Sequence, residues 1–286
     1  MVTLHVAGYQ PARSVHTRAL HTLREAVAAR AGKALEIIVT DSIVGPGRKA
    51  SDLLAMVESG ELDGCYFASS YLAARVPALG VFDRPFQAGA RDAVFSALDA
   101  EAGATLAGHV AAATGYRVLG YWDNGIRHIS NAVRPIRTPT DCAGLRLRTL
   151  DNAQHQDAFR RLGFRPIFVD VADLARAVAE RTVDAQENPL TNMVNFGLHA
   201  HHKYVSLTGH LLGIALLLVN RARYEALPTT LRAALDAAAH ESTATQRALA
   251  MAEDAECLRL LADAGVTIIG PDAIDLPAFR AIATAA

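Results

Sequence analysis

Two short stretches carry the residues best suited to holding a small charged molecule. Leu145–Thr149 reads L-R-L-R-T and Val183–Leu190 reads V-D-A-Q-E-N-P-L. Each has the pattern of a strand that stops abruptly and leaves a polar group, Arg148 or Asn188, just past its last apolar residue. In open α/β sheets, ligands collect beyond the carboxyl ends of the strands. A guanidinium there offers a planar fork of donors that meets a carboxylate through two parallel, charge-assisted hydrogen bonds. The chemistry this implies is a pocket for a small organic acid.

Each group has a competing explanation. Leu145 and Leu147 alternate with Arg146 and Arg148, which also fits a strand with one buried and one solvated face. An arginine on such a face makes an ion pair of little energetic value. Arg127 lies in D-N-G-I-R-H-I-S-N, where the alternative is a hinge arginine that bonds loop carbonyls. Asn188 precedes Pro189, which holds its backbone extended; its amide serves either a ligand or a local Asx turn. His210, in L-T-G-H-L-L, either reaches the same region or is buried and satisfied by backbone groups.

Other chemistries find little in the chain. His199, His201 and His202 form H-A-H-H-K, which lacks the i, i+4 pair that puts two metal ligands on one helical face. No G-x-S-x-G, P-loop or early G-x-G-x-x-G occurs, and Ser69-Ser70 lacks the glycines of a nucleophile elbow. Asp184 and Glu187 do not read as a catalytic pair. The expectation is therefore a binding protein without catalytic residues, metal or cofactor. Cys65, Cys142 and Cys257 are too scattered for a disulfide framework or a metal site. With 28 Lys and Arg against 29 Asp and Glu there is no basic stripe, so nucleic acid and anionic membrane surfaces are not expected partners.

The elements that must position these groups occur in a repeated order. Thr3–Ala7 is a strand, Ser14–Arg30 a helix and Leu35–Val39 a strand. A Gly45-Pro46-Gly47 loop, a helix capped by Ser51 and stopped by Gly60, and a strand at Cys65–Ala68 follow, ending at Ser69-Ser70. The order returns as strand Leu145–Thr149, helix Asn152–Leu162, strand Pro166–Val169, helix Val171–Glu180 and a strand ending at Glu187-Asn188-Pro189. V-E-S-G-E-L-D-G and V-A-E-R-T-V-D-A close the second helix of the two runs. These are two βαβαβ units with parallel pairing. If each turns its strand ends toward the other, Gln10, Ser69, Ser70, Arg148 and Asn188 meet in one cleft suited to hinge closure.

Between the units the pattern predicts one helix over about Gly89–Thr114, a strand at Tyr116–Trp122 and a turn at Asp123-Asn124-Gly125. The chain returns along Ile214–Asn220. The apolar run Leu211–Val219 is too short to span a bilayer. A helix over Leu231–Ala264, about 50 Å long, is then able to brace both lobes. The expected class is α/β with two lobes, each an open sheet. Residues 1–123 and 214–250 form the first lobe and 124–213 the second, while 251–286 end the long helix and pack back on the lobes.

Four blocks tie this reading to a known family: SGELDGCYFASSYLAARVPALGVFDRPF, GYWDNGIRHISNAVRPIRTPTDCAGLRLRT, VDAQENPLTN and YVSLTGHLLGIALLLVNRARYEALP. In order and spacing they resemble the periplasmic solute-binding subunit of tripartite ATP-independent periplasmic (TRAP) transporters, of the C4-dicarboxylate-binding type. The resemblance implies a type II, Venus-flytrap fold and capture of a carboxylate for delivery to membrane permease subunits. It implies Arg148 as principal carboxylate ligand, Arg127 as a second cationic contact and Asn188 as a polar contact beside them. Ser69 or Ser70 would hold the first-lobe contact position, where sialic-acid-type members carry an acid; with Val171 in place of an aromatic, this argues against sialic acid. Gln10 and Arg13, in the divergent loop GYQPARSVH, would add first-lobe contacts.

The opening M-V-T-L-H-V-A-G-Y enters a strand directly, consistent with the cytoplasm or with a mature periplasmic chain whose signal peptide is absent; the resemblance implies the second. A monomer is expected, since no long apolar helix face lacks an intramolecular partner in this reading. The competing reading is a two-lobed sensor module for organic acids, although no helix-turn-helix or signalling domain accompanies it. An acid-transforming enzyme on the same lobes is a third.

Overall fold

The computed structural model describes residues 1–45 and 47–285; the expected Gly45-Pro46-Gly47 loop has its centre, Pro46, outside them. In chain order the elements begin with β1 (Val2–Ala7), α1 (Val15–Ala31), β2 (Leu35–Thr40), α2 (Asp52–Ser59) and β3 (Gly64–Ala68). Next come α3 (Arg91–Leu98), α4 (Glu101–Ala113), β4 (Tyr116–Asn131), β5 (Arg146–Thr149), α5 (Ala153–Arg161), β6 (Arg165–Phe168) and α6 (Val171–Ala179). The chain ends with β7 (Ala185–Pro189), α7 (Leu190–Asn195), β8 (Tyr204–Asn220), α8 (Arg221–Glu225), α9 (Thr229–Asp263), β9 (Thr267–Ile269) and α10 (Leu276–Ala283).

The chain divides into two compact units. The first comprises residues 1–78, 92–123 and 214–251; the second comprises 79–91, 124–213 and 252–286. The chain passes between them inside β4, β8 and α9, besides the junctions near residues 78 and 91.

In the first unit the strand order is β2-β1-β3-β8. β1 pairs in parallel with β2 from Val2↔Leu35 to Ala7↔Thr40, and with β3 at Val6↔Gly64 and Ala7↔Cys65. β3 then pairs antiparallel with β8, from Gly64↔Val219 to Ala68↔Ala215. The helix α1 forms because Ser14 caps it, its hydroxyl accepting the Thr17 N–H at 3.1 Å, and because Leu20, Leu23 and Val27 fall on one buried face. Where one helix was expected over Gly89–Thr114 there are two, α3 and α4. A Cβ on Gly103 would lie 1.8 Å from the Leu98 carbonyl oxygen, so the corner between them depends on a glycine that only a bend brings so close.

The second unit repeats the arrangement as β6-β5-β7-β4. β5 is parallel to β6 and β7, and β7 is antiparallel to β4, with Ile129 opposite Glu187. Each βαβαβ run is thus completed by an antiparallel strand that also serves the other unit. Asn152 caps α5 and Asp170 caps α6 through their side-chain oxygens. The interior of this unit is filled by Ile129, Leu145, Leu147, Phe159, Phe164 and Phe279, among others.

The turn expected at Asp123-Asn124-Gly125 does not form: β4 runs through it. The Gln246 side chain, 123 residues away, accepts from the Asp123 N–H and donates to its C=O, both at 2.7 Å, so neither group is free to close a hairpin. Gly125 adopts φ +86° within the strand, where a Cβ would lie 2.7 Å from that of Pro189.

Candidate functional site

Arg148 is decided by burial. It is fully buried on β5, so the solvated-face explanation does not apply to it. Its Nε donates to the Val169 carbonyl at 2.8 Å, while Nη1 and Nη2 are buried and have no hydrogen-bond partner among the described residues. Arg146, two residues earlier, lies outside the core and forms a fork with Asp184 at 2.9 and 2.7 Å. One strand therefore presents a paired arginine at the surface and an incompletely paired one in the interior. A buried charge that lacks partners is costly. The arrangement is what a preformed carboxylate anchor requires.

Arg127 lies on β4 and is also buried, but its charge is matched. Its Nε donates to Glu187 Oε2 at 2.6 Å, and one Nη donates to Oε1 and to the Glu187 carbonyl, both at 2.8 Å. The Thr149 hydroxyl donates to Oε1 at 3.2 Å, and His210 Nε2 lies 3.3 Å from Oε2. Burial acts to raise the Glu187 carboxyl, yet Arg127 and the hydrogen bond from His210 outweigh it and hold the group well below the usual carboxylate range. Burial lowers His210 against the pull of Glu187. With Nε2 donating to the carboxylate, Nδ1 of the neutral ring is left to accept from the Thr208 hydroxyl at 2.7 Å.

Asn188 joins the same network. Its Nδ2 donates to Gln186 Oε1 at 2.6 Å and its Oδ1 accepts from Asn192 Nδ2 at 3.1 Å. Gln186 passes the chain on to Ser130, whose hydroxyl meets His202 Nδ1 at 2.9 Å. A buried run of polar side chains thus ties β7, β4 and β8 together just behind the end of β5. In the same unit, buried Asp83 holds Asn152 Nδ2 at 2.8 Å and His155 Nε2 at 3.0 Å.

The first-unit candidates differ in burial. Gln10 and Ser69 are buried, Ser70 is half-buried and Arg13 is exposed. The Gln10 N–H donates to the Tyr66 hydroxyl at 3.2 Å, and its carbonyl accepts from Thr17 Oγ1 at 3.2 Å. The Ser69 hydroxyl, buried just past β3, has no hydrogen-bond partner among the described residues. His199 and His202 approach different groups, the Met193 carbonyl and Ser130, and no set of three or more His, Cys, Asp or Glu side chains gathers as metal ligands would among the described residues. No helix among those residues is long and apolar enough to cross a membrane.

Sequence reasoning missed Glu187 as the partner of Arg127. The signal was present: Glu187 lies between Gln186 and Asn188 in a strand that the structure buries throughout, where a carboxylate needs a cationic partner.

The profile of bacterial extracellular solute-binding protein family 7 matches residues 6–286. The 2,3-diketo-L-gulonate-binding periplasmic protein of Escherichia coli (strain K12) is 29% identical over 229 residues, covering 80% of this chain and 69% of that one. Among solved structures, a TRAP periplasmic solute-binding protein from Chromohalobacter salexigens with bound D-glucuronate superposes with a TM-score of 0.92 at 26% identity, covering 98% and 92% of the two chains. One from Sulfitobacter sp. NAS-14.1 with bound β-D-galacturonate reaches 0.93 at 23% identity, covering 99% and 92%, which speaks for the fold. With the family profile spanning nearly the whole chain and the solved relatives reproducing its fold, the protein belongs to bacterial extracellular solute-binding protein family 7, the TRAP periplasmic solute-binding proteins.

Proposed function

We propose that this protein binds a sugar acid or related small carboxylate, and that the acid's carboxylate docks on Nη1 and Nη2 of Arg148. The observation that carries the reading is a buried guanidinium whose outer two nitrogens have no hydrogen-bond partner among the described residues, while its Nε is fixed by the Val169 carbonyl. That fork matches a carboxylate bidentately. Arg127, by contrast, neutralises Glu187 and steadies the strand end on which Asn188 sits, so it supports the site more than it contacts the ligand. Gln10, Arg13, Ser69 and Ser70 remain the first-unit candidates; of these, Ser69 has a buried hydroxyl with no hydrogen-bond partner among the described residues. The sugar-acid class is favoured by two relatives, the 2,3-diketo-L-gulonate-binding protein and the structure with bound D-glucuronate.

In this reading the protein works in the periplasm as a monomer and delivers its acid to the membrane permease subunits of a TRAP transporter. The test is calorimetry on Arg148→Lys and Arg146→Lys with the acid that most raises the melting temperature in a panel of sugar acids, dicarboxylates and 2-oxo acids. Arg148→Lys keeps the charge and loses the fork; it is expected to cost about 2–5 kcal/mol, roughly thirty- to several-thousand-fold in affinity. Arg146→Lys is expected to be near neutral. Equal losses at the two positions would overturn the assignment.

A further inference from the structure

We propose that Asp170 is a positioning residue for the carboxylate anchor: its cap on α6 fixes the corner whose carbonyl aims the Arg148 guanidinium. Asp170 acts through Arg148, so its role rests on the reading of Arg148 given above and deepens it. Among the described residues the guanidinium makes one hydrogen bond, from Nε to the Val169 carbonyl at 2.8 Å. Nε, Nη1 and Nη2 share one plane, so that single bond governs where the two outer nitrogens sit.

The carbonyl is aimed by a two-residue corner within the second unit. β6 ends at Phe168, opposite Thr149, with Ile167 opposite Arg148. Val169 and Asp170 then turn the chain into α6, which begins at Val171. Val169 and Val171 pack on the cluster of Leu174, Ala177 and Val178. Asp170 is 4% exposed and sits at φ −57°, ψ 148°. Its Oδ1 accepts the Ala172 N–H at 2.9 Å, and its carbonyl accepts the Asp173 N–H at 3.0 Å. The Val169 carbonyl and the Asp170 N–H belong to one planar peptide unit. Holding Asp170 therefore holds the direction of the acceptor that Arg148 uses.

Removing the cap oxygen leaves the Ala172 N–H without its side-chain partner, and the first turn of α6 loosens. Asp173 does not take over the cap, because its carboxylate meets Arg176 at 2.8 Å. The peptide plane between Val169 and Asp170 is then free to tilt, and Nε loses a fixed acceptor. A fork that the ligand itself must order binds more weakly than one already in place, since a long side chain gives up rotamer entropy on binding. Asparagine keeps the side-chain oxygen and caps as well as aspartate does, so it preserves the aim while removing the charge.

The experiment compares wild type, Asp170→Ala, Asp170→Asn, Arg148→Lys and Asp275→Ala. Asp275 is the control, since it caps α10 of the same unit by accepting the Ala278 N–H at 3.1 Å. Calorimetry uses D-glucuronate, D-gluconate and succinate, and affinities are read with whichever the wild type binds. Asp170→Ala is expected to bind about 3- to 10-fold more weakly, with Asp170→Asn and Asp275→Ala within about twofold of wild type. In ligand-free protein the Arg148 Nε–H signal, identified by its absence from Arg148→Lys, is expected to exchange with water at least about tenfold faster in Asp170→Ala alone. Should the alanine variant fail to fold, Asp170→Gly takes its place, because glycine is better tolerated at an N-cap. Equal losses in Asp275→Ala would mark a general effect of helix stability, and an asparagine variant as weak as alanine would mark the charge as the active part; either overturns the proposal. Wild-type affinity in Asp170→Ala, with Arg148→Lys still impaired, would overturn it and leave the anchor standing. Undiminished binding by Arg148→Lys, or no binding of any acid by the wild type, would refute the anchor itself and the role of Asp170 with it.

Discussion

Two buried arginines in the second unit should respond to the same substitution with opposite sign. In ligand-free protein Arg148 gains one charge-assisted hydrogen bond, to Val169, worth about 1.5–3 kcal/mol. Against that stand Nη1 and Nη2, removed from water without partners, each costing about 1–3 kcal/mol and more for a charged group. Arg148→Met removes the charge while filling most of the volume, so it is expected to stabilise the empty protein by about 1–3 kcal/mol. Arg127→Met instead strands Glu187, whose side chain is 0% exposed, and is expected to destabilise by about 3–5 kcal/mol. The two variants should therefore lie about 4–8 kcal/mol apart.

Urea unfolding of protein refolded free of any co-purified acid measures the difference, and a thermal-shift titration measures the function. Wild type at a hundredfold excess of ligand over Kd should gain about 2.7 kcal/mol. Arg148→Met should gain nothing at the same concentration, despite its higher baseline. An Arg148→Met protein that unfolds as readily as Arg127→Met and still responds to acid would show Arg148 to be structural, and the reasoning from its unpaired nitrogens would fall.

Acidification should weaken the protein through its buried histidines. Burial lowers His16, His128 and His202 to about 3, 3 and 4, whereas unfolding restores them to the ordinary value of about 6.5. The unfolded chain therefore takes up protons first, and stability present above pH 6.5 is lost as the pH falls toward 4, by up to about 1.4 kcal/mol per pH unit for each ring. Unfolding at pH 7.5 and 5.5 should differ by about 4 kcal/mol from these three groups, and His202→Gln should remove about a third of that. Gly125→Ala, which forces a side chain into φ +86° and against Pro189, should cost about 2–4 kcal/mol. Gly270→Ala, with nothing within 4 Å, should stay within about 0.5 kcal/mol in the same melting assay. Gln246→Leu leaves the Asp123 N–H and C=O without their partner and should cost about 2–4 kcal/mol by urea denaturation; a neutral result would mean that another group restrains β4.

The parts of the fold that were legible in the residues are those set by near neighbours along the chain. Ser14 and Asn152 start helices because a side-chain oxygen reaches an N–H three residues on. Gly60 and Gly265 follow the ends of α2 and α9 in the left-handed conformation. The two βαβαβ runs, their parallel pairing and the long helix all follow from such local signals, and the matching motifs carried the family and its carboxylate chemistry. Even so, the D-N-G signal misled, because a local preference for a turn worth about a kilocalorie yields to two buried hydrogen bonds from a glutamine on a distant helix.

Tertiary structure decided what each charge is for. Alternation along L-R-L-R-T cannot tell Arg146 from Arg148, since both lie on the same side of the pleat. Only the packing of the second unit leaves the first beside Asp184 and encloses the second. Likewise, Arg127 is a partner of Glu187 only because β4 and β7 run antiparallel in one register, 60 residues apart. Periodicity records which face of an element avoids water; it does not record which remote group balances a buried charge, or which buried nitrogens lack a hydrogen-bond partner among the described residues.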